Sequence, residues 1–267
     1  MTSKKETFTS LVESFRFRHD VSRVFDDFLT MSLCAVTRDP KTGLSHYEDL
    51  YMDTIRHYAK EELRFQFPKM LDALIDEMGD GLNGGSCTDV LGSYYEQQCA
   101  KSKLSQFFTP WPICEFMAKS TIEETKREDG RPLRILEPAC GSGRLLLASA
   151  KQAGLGNEFY GIDVDRTCVK MTALNLFLHG VFHSEVMCAN ALLPDDFQVS
   201  YVISLVPIGI FRIDKKEESR LWHLVRHALE ANRRQEAEKP KPSADIKLPS
   251  EGNGNDFGKQ VSQITLF

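Results

Sequence analysis

Apolar residues recur every three or four positions through most of the first hundred residues, whereas after residue 132 they come in short bursts divided by turns. The first rhythm is helical, and the second is that of strands alternating with helices. Pro68 stands where a helix can open, and Met70, Leu71, Leu74, Ile75 and Met78 follow at helical spacing until Gly79, which predicts an amphipathic helix in need of a partner surface. GDGLNGG, 79–85, reads as a break. Thr88 then caps a short predicted helix carrying Leu91, Tyr94 and Tyr95, and Pro112 opens another carrying Ile113, Phe116 and Met117. From Leu133, the runs RILE, FYGID, EVMC and YVISLV read as strands, with helices over RLLLASAKQ and 165–180 between them. That alternation implies βαβ units and a parallel sheet. One more amphipathic helix, roughly 217–235, presents Leu221, Leu224, Val225 and Ala228 on one face. Beyond Glu236 the chain is too poor in large apolar residues to offset its ordering entropy. The pattern predicts an α/β architecture with a helical amino-terminal domain over 1–104, an α/β ligand-binding domain over 105–235, a disordered linker over 236–258 and a terminal peptide over 259–267.

Composition narrows the classes. The chain has 267 residues, 42% of them hydrophobic, enough for one α/β core and a smaller satellite. No apolar run approaches the roughly 18 residues of a membrane span, and MTSKKETFTS lacks the apolar block of a secretory signal, so a soluble, cytoplasmic protein is expected. The seven cysteines include no CxxC pair, which argues against both a disulfide framework and a metal site and for reduced packing residues. A formal net charge of −5 argues against strong autonomous binding to nucleic acid, so DNA contact by this chain alone is expected to be weak.

The candidate chemistry starts at ILEPACGSGRLLL, 135–147. A glycine turn after a first parallel strand lets backbone approach a ligand while the next helix presents free amides, and Gly141, Ser142 and Gly143 meet that need. Asp163 ends the second strand, where a carboxylate can accept from ribose hydroxyls. Glu137 lies at the first strand's own end, where it would repel a pyrophosphate but attract the ammonium of a methionyl group. The pair favours S-adenosylmethionine over a dinucleotide.

These residues also carry a family resemblance. EPACGSGRLL resembles the DPACGSGxxL motif of amino-methylating DNA methyltransferases, especially the modification subunit of type I restriction systems. SQFFTPWPICEFM, 105–117, is similar to that family's GQFYTPxxVVxLM segment, TDVLGSYYEQQ to the helix before it, and YGIDVDRTCVKMTALNLFLHG to its second motif and helix. The match runs over roughly 88–211 and implies a Rossmann-like methyltransferase fold with a truncated parallel sheet, S-adenosylmethionine as cofactor and adenine N6 in DNA as target. It further implies that Gln106, Phe107, Phe108, Thr109 and Pro110 close over the methionyl end, although the two phenylalanines can equally be core aromatics. Asn190 stands where a family acid meets the adenine amino group, or else serves only as a turn residue.

The pattern then breaks. Family members carry (D/N/S)PP(Y/F) after the fourth strand, to orient the target amine and stack on a flipped base. Here Leu205, Val206, Pro207 and Ile208 fill that place, with neither polar acceptor nor ring. A cofactor-binding relative with weak or no catalysis alone is therefore expected; an active enzyme completed by a partner subunit, and a non-catalytic interaction module, are the alternatives. The chain ends in QITLF, which resembles the pentapeptide that docks proteins onto the replication sliding clamp, with Gln263, Leu266 and Phe267 as the contacting residues. Pairing of QVSQITLF as an extra strand is the competing reading, and an inert tail the third.

Overall fold

The computed structural model describes residues 6–37, 45, 47–59, 62–83, 89–99, 107–124, 131–193 and 195–238. Two compact units divide the chain, Met1–Ala228 and Leu229–Phe267. The first unit opens with helices α1 (Phe8–Glu13), α2 (Val21–Ala35), α3 (Glu48–Ile55), α4 (Gln66–Asn83) and α5 (Val90–Tyr94), then a π-helical turn over Tyr95–Cys99 and helix α6 (Trp111–Glu124). Local chemistry sets several starts. Thr7 and Ser10 form a reciprocal cap on α1, and the Asp20 carboxylate accepts the amides of Ser22 and Arg23 at the start of α2. Strand β1 (Arg134–Glu137), helix α7 (Arg144–Ala153), strand β2 (Glu158–Asp163), helix α8 (Arg166–Leu178) and strand β3 (Ser184–Cys188) follow in alternation, then strands β4 (Val199–Leu205) and β5 (Ile208–Ile213) and helix α9 (Arg220–Glu238).

The five strands form one sheet in the order β1-β2-β3-β4-β5. β1, β2 and β3 are parallel, with Glu137 beside Gly161 and Asp163 beside Cys188. β4 departs from the expected parallel sheet. It runs antiparallel to β3, with Cys188 beside Val199 and Ser184 beside Ile203, and turns back at Val206-Pro207 into β5, a strand the sequence pattern did not separate. The physical reason is connection length: the described residues of 189–198 hold no helix, and an antiparallel return needs only a short loop whereas a parallel crossover needs a dozen or more residues. The free edge of β5 is covered from the amino-terminal part: Ile210 donates its amide to Thr37 Oγ1 at 2.9 Å and Arg212 to the Tyr47 hydroxyl at 2.7 Å. β1 pairs only with β2 among the described residues.

One hydrophobic cluster joins Phe8, Phe25, Phe28, Met70 and Leu91 from the helices to Leu146, Val169, Leu174, Phe159 and Val186 from the α/β part. On the other side of β3, Glu185 is buried and satisfied, accepting Ser200 Oγ at 2.7 Å, Ser219 Oγ at 2.6 Å and the Leu221 amide at 3.0 Å. α4 buries Met70, Leu74 and Met78 as expected but leaves Ile75 exposed, and it runs through Gly79 to Asn83 because a glycine in a helix costs only about 1 kcal/mol. α6 reverses its expected face. It buries Cys114, Ala118 and Ile122 against Ala148, while Ile113, Phe116 and Met117 are exposed. Both sides of α6 are apolar, and the small Cys114 and Ala118 allow the closer approach to α7. Asp89 caps α5, its side chain accepting the Gly92 amide, and Thr88 lies outside the described residues. Cys34, Cys114, Cys140, Cys168 and Cys188 are buried, and no described helix is long and apolar enough to cross a membrane.

Candidate functional site

At the carboxyl end of β1 the chain turns through Gly141 (φ +56°) and Gly143 (φ +88°) into α7, whose first turn no side chain caps among the described residues. Backbone angle favours glycine at both positions, and a Cβ at either would also be crowded. A Cβ on Gly141 would lie 2.7 Å from the Phe108 ring, and one on Gly143 would lie 3.0 Å from the Thr172 methyl. Phe108 therefore seats over the turn. Phe107 is 87% exposed, and Thr109 and Pro110 are exposed as the segment enters α6, where the Pro110 carbonyl accepts the amides of Ile113 and Cys114. Gln106 lies outside the described residues, as do Gln263, Leu266 and Phe267.

Asp163 braces the turn from β2. Its carboxylate accepts the Gly141 amide at 2.9 Å and the Asp165 amide at 2.9 Å, with the Val164 amide also directed at it. A carboxylate offers about four acceptor positions, so little capacity remains for ribose hydroxyls. Burial, then the charge of Asp165, pushes the Asp163 carboxyl above its usual range. Glu137 is half-buried and accepts only a long 3.4 Å bond from the Ala139 amide among the described residues. Burial, followed by the neighbouring Asp163 charge, holds its carboxyl high as well. Two crowded acids raised together form a place where a cation relieves strain.

Ser142 corrects an expectation. It is 1% exposed and donates to Asp89 Oδ2 at 2.5 Å, so its side chain supports the turn from behind and does not line a site in front of it. Asn190 stands beside the end of β2, since Ala189 donates its amide to the Asp163 carbonyl at 3.0 Å. Its Oδ1 accepts the Leu192 amide at 3.0 Å and its carbonyl the Leu193 amide at 2.9 Å, the bonding of a turn residue.

Sequence reasoning missed the residues that hold the turn. Asp89, 6% exposed, accepts Gly92 N and Asn175 Nδ2 on one oxygen and Ser142 Oγ and Arg144 Nε on the other. Asn175 also donates to the Ser142 carbonyl at 2.8 Å, and Thr172 to the Gly141 carbonyl at 2.8 Å. The signals were present: Asp89 opens a helix in TDVLG, and Asn175 begins NLFLHG.

The largest correction concerns Leu205, Val206, Pro207 and Ile208. They form the β4–β5 turn, past the Ser184–Ile203 pair and so at the amino end of β3, opposite to Gly141, Glu137 and Asp163. Six residue steps of β4 separate the levels of Cys188 and Leu205, on the order of 20 Å at the usual strand rise. This tip cannot serve the glycine turn.

The glycine turn, its paired acids and the helix that clamps it fall in one contiguous stretch, and a family model described as N-6 DNA Methylase matches that stretch, residues 86–232, more than half of the chain. The chain belongs to the N-6 DNA methylase family. Within the family, it is 29% identical over 124 residues to the methylase subunit of the type I restriction enzyme MpnII of Mycoplasma pneumoniae, a match over 44% of this chain and 22% of that protein. It thus spans only about a fifth of that relative's length. The crystal structure of a type I restriction-modification methyltransferase subunit from Streptococcus thermophilus shares 17% identity at a TM-score of 0.33, over 70% of this chain and 59% of that one.

Proposed function

We propose that this N-6 DNA methylase relative binds S-adenosylmethionine at the carboxyl ends of β1 and β2 and does not, unaided, methylate adenine in DNA. The observation that carries the second half is the Leu205–Ile208 turn, about 20 Å from the glycine-turn end of the sheet, whereas group transfer needs reacting atoms within about 3.5 Å. Support for the first half comes from Glu137, a half-buried carboxylate poorly supplied with donors beside a second acid, a setting that suits the ammonium and sulfonium of this cofactor. In this reading Glu137 holds the methionyl end, the free amides after Gly143 and the remaining acceptor position of Asp163 hold the nucleoside, and Phe107, Phe108, Thr109 and Pro110, with Gln106, close the front. Calorimetry with S-adenosylmethionine and S-adenosylhomocysteine tests it: binding by at least one is expected, and silence from both removes the proposal.

A second reading, an enzyme completed by a partner subunit, draws on one observation. The outer edge of β1 is unpaired among the described residues and Leu136 beside it is 44% exposed, so a strand added there would bring a partner's groups next to Glu137. Transfer of labelled methyl to DNA with cell extract, but not without it, would favour that version. We further propose that Gln263, Leu266 and Phe267 dock on a sliding clamp in the cytoplasm, where tethering would raise local concentration on DNA without strong phosphate contacts. A labelled QVSQITLF peptide that leaves purified clamp unshifted in fluorescence polarisation would end that suggestion.

A further inference from the structure

Arg144 opens α7, an end at which the helix dipole disfavours a cation, and its side chain is only 11% exposed. The arginine is held there by acids from another segment. Nε donates to Asp89 Oδ2 at 2.7 Å, and Nη2 donates to Glu96 Oε2 at 2.8 Å and reaches Ser93 Oγ at 3.4 Å. The guanidinium carbon stands 5.5 Å from the centre of the Phe108 ring, and Tyr95 stacks on the same ring at 5.8 Å with 17° between planes. The other Glu96 oxygen accepts the Phe108 amide at 2.7 Å. A single cation thereby connects the helix after the glycine turn, the π-helical turn at 95–99 and the aromatic seated over Gly141.

We infer that Arg144 is a positioning residue: through Glu96 it latches Phe108 over Gly141, and the strength of this latch sets the fraction of molecules whose 107–110 segment is ready to cover a ligand. The consequence for affinity rests on the cofactor reading above, whereas the latch itself does not. Asp89 anchors the other end, with all of its acceptor positions filled by Gly92, Asn175, Ser142 and Arg144. Lysine could not replace the arginine fully, because a point charge cannot bridge two carboxylates and lie against a ring at once.

The test reads the segment directly. Trp222→Phe leaves Trp111, three residues after Phe108, as the sole tryptophan. In that background, Arg144→Met and Glu96→Gln should each raise acrylamide quenching of Trp111 with no cofactor present, and Arg144→Lys should fall between. If the seated fraction drops to about a tenth, the dissociation constant for S-adenosylmethionine should rise about tenfold. Unchanged quenching in both variants overturns the latch whatever happens to affinity, and raised quenching with unchanged affinity overturns its role in ligand binding. Should Arg144→Met fail to fold, Glu96→Gln decides alone, since it spoils one acceptor and leaves the Arg144–Asp89 pair in place. If the parent protein binds no cofactor while both variants show raised quenching, the latch stands and the cofactor reading falls.

Discussion

Two titratable groups near the glycine turn, one buried and one half-buried, are moved in opposite senses, and each gives a signed expectation. His179, 4% exposed, places Nδ1 2.8 Å from the Asn175 carbonyl, and its Nε2 is buried with no partner among the described residues. Burial lowers its affinity for a proton. The unfolded chain, with an ordinary histidine near pH 6.5, takes up the proton first, so stability is present above about pH 6.5 and is lost as pH falls toward the lower folded value. Circular dichroism melts across that range should show the decline, and His179→Asn should flatten it. Glu137 works through ligand. A cationic cofactor prefers the ionised carboxylate, so its affinity should weaken as pH falls through the raised value, at a higher pH than the ordinary glutamate value of about 4.3. Glu137→Gln should weaken binding and abolish that pH dependence in calorimetry. That Glu137, Gly141, Gly143 and Asp163 stand at the carboxyl ends of β1 and β2 was legible because strand ends and glycine turns are set by neighbouring residues. Ser142 was misread because its side chain bonds backward to Asp89, whereas Asn190, for which a turn role was one of two readings, bonds locally to Leu192.

Among the elements, sequence period predicted existence well and facing poorly. α8 is buried nearly all round, and Leu174, 0% exposed, should cost about 2–5 kcal/mol when cut to alanine. Phe116→Ala on the outer face of α6, 69% exposed, should change stability by no more than about 0.5 kcal/mol. Urea titration of the two variants separates a core helix face from a free one, and equal losses would refute the assignment of α6. The β4–β5 hairpin was hidden because YVISLVPIGIF reads as one apolar run, although a lone Pro-x-Gly within it is a turn signal. Direction is a further matter: nothing in the side-chain period of a strand says whether its neighbour runs parallel or antiparallel.

At the scale of the molecule, the amino-terminal helices and the sheet within Met1–Ala228 share one hydrophobic cluster, and Lys170 of α8 bonds to Asp26 and Thr30 of α2 at 2.9 to 3.0 Å. A fragment of residues 105–238 would expose the α8 face that meets α2 and would lose Asp89, the hub of the glycine turn. We expect it to lose the cooperative thermal transition of the full chain and to bind no S-adenosylmethionine; a sharp melt from the fragment would refute the shared core. By itself the sequence determined the alternation of strands and helices from β1 to β3, the glycine turn with its two acids, and membership of the N-6 DNA methylase family, because backbone preferences and motif chemistry act over a few neighbouring residues. Only the tertiary structure decided that the fourth strand returns antiparallel, that its tip lies at the far end of the sheet, and that Asp89, Glu96 and Arg144 hold the turn. Those outcomes depend on which distant surfaces bury each other, and side chains separated by up to 55 residues along the chain leave no local periodicity to read.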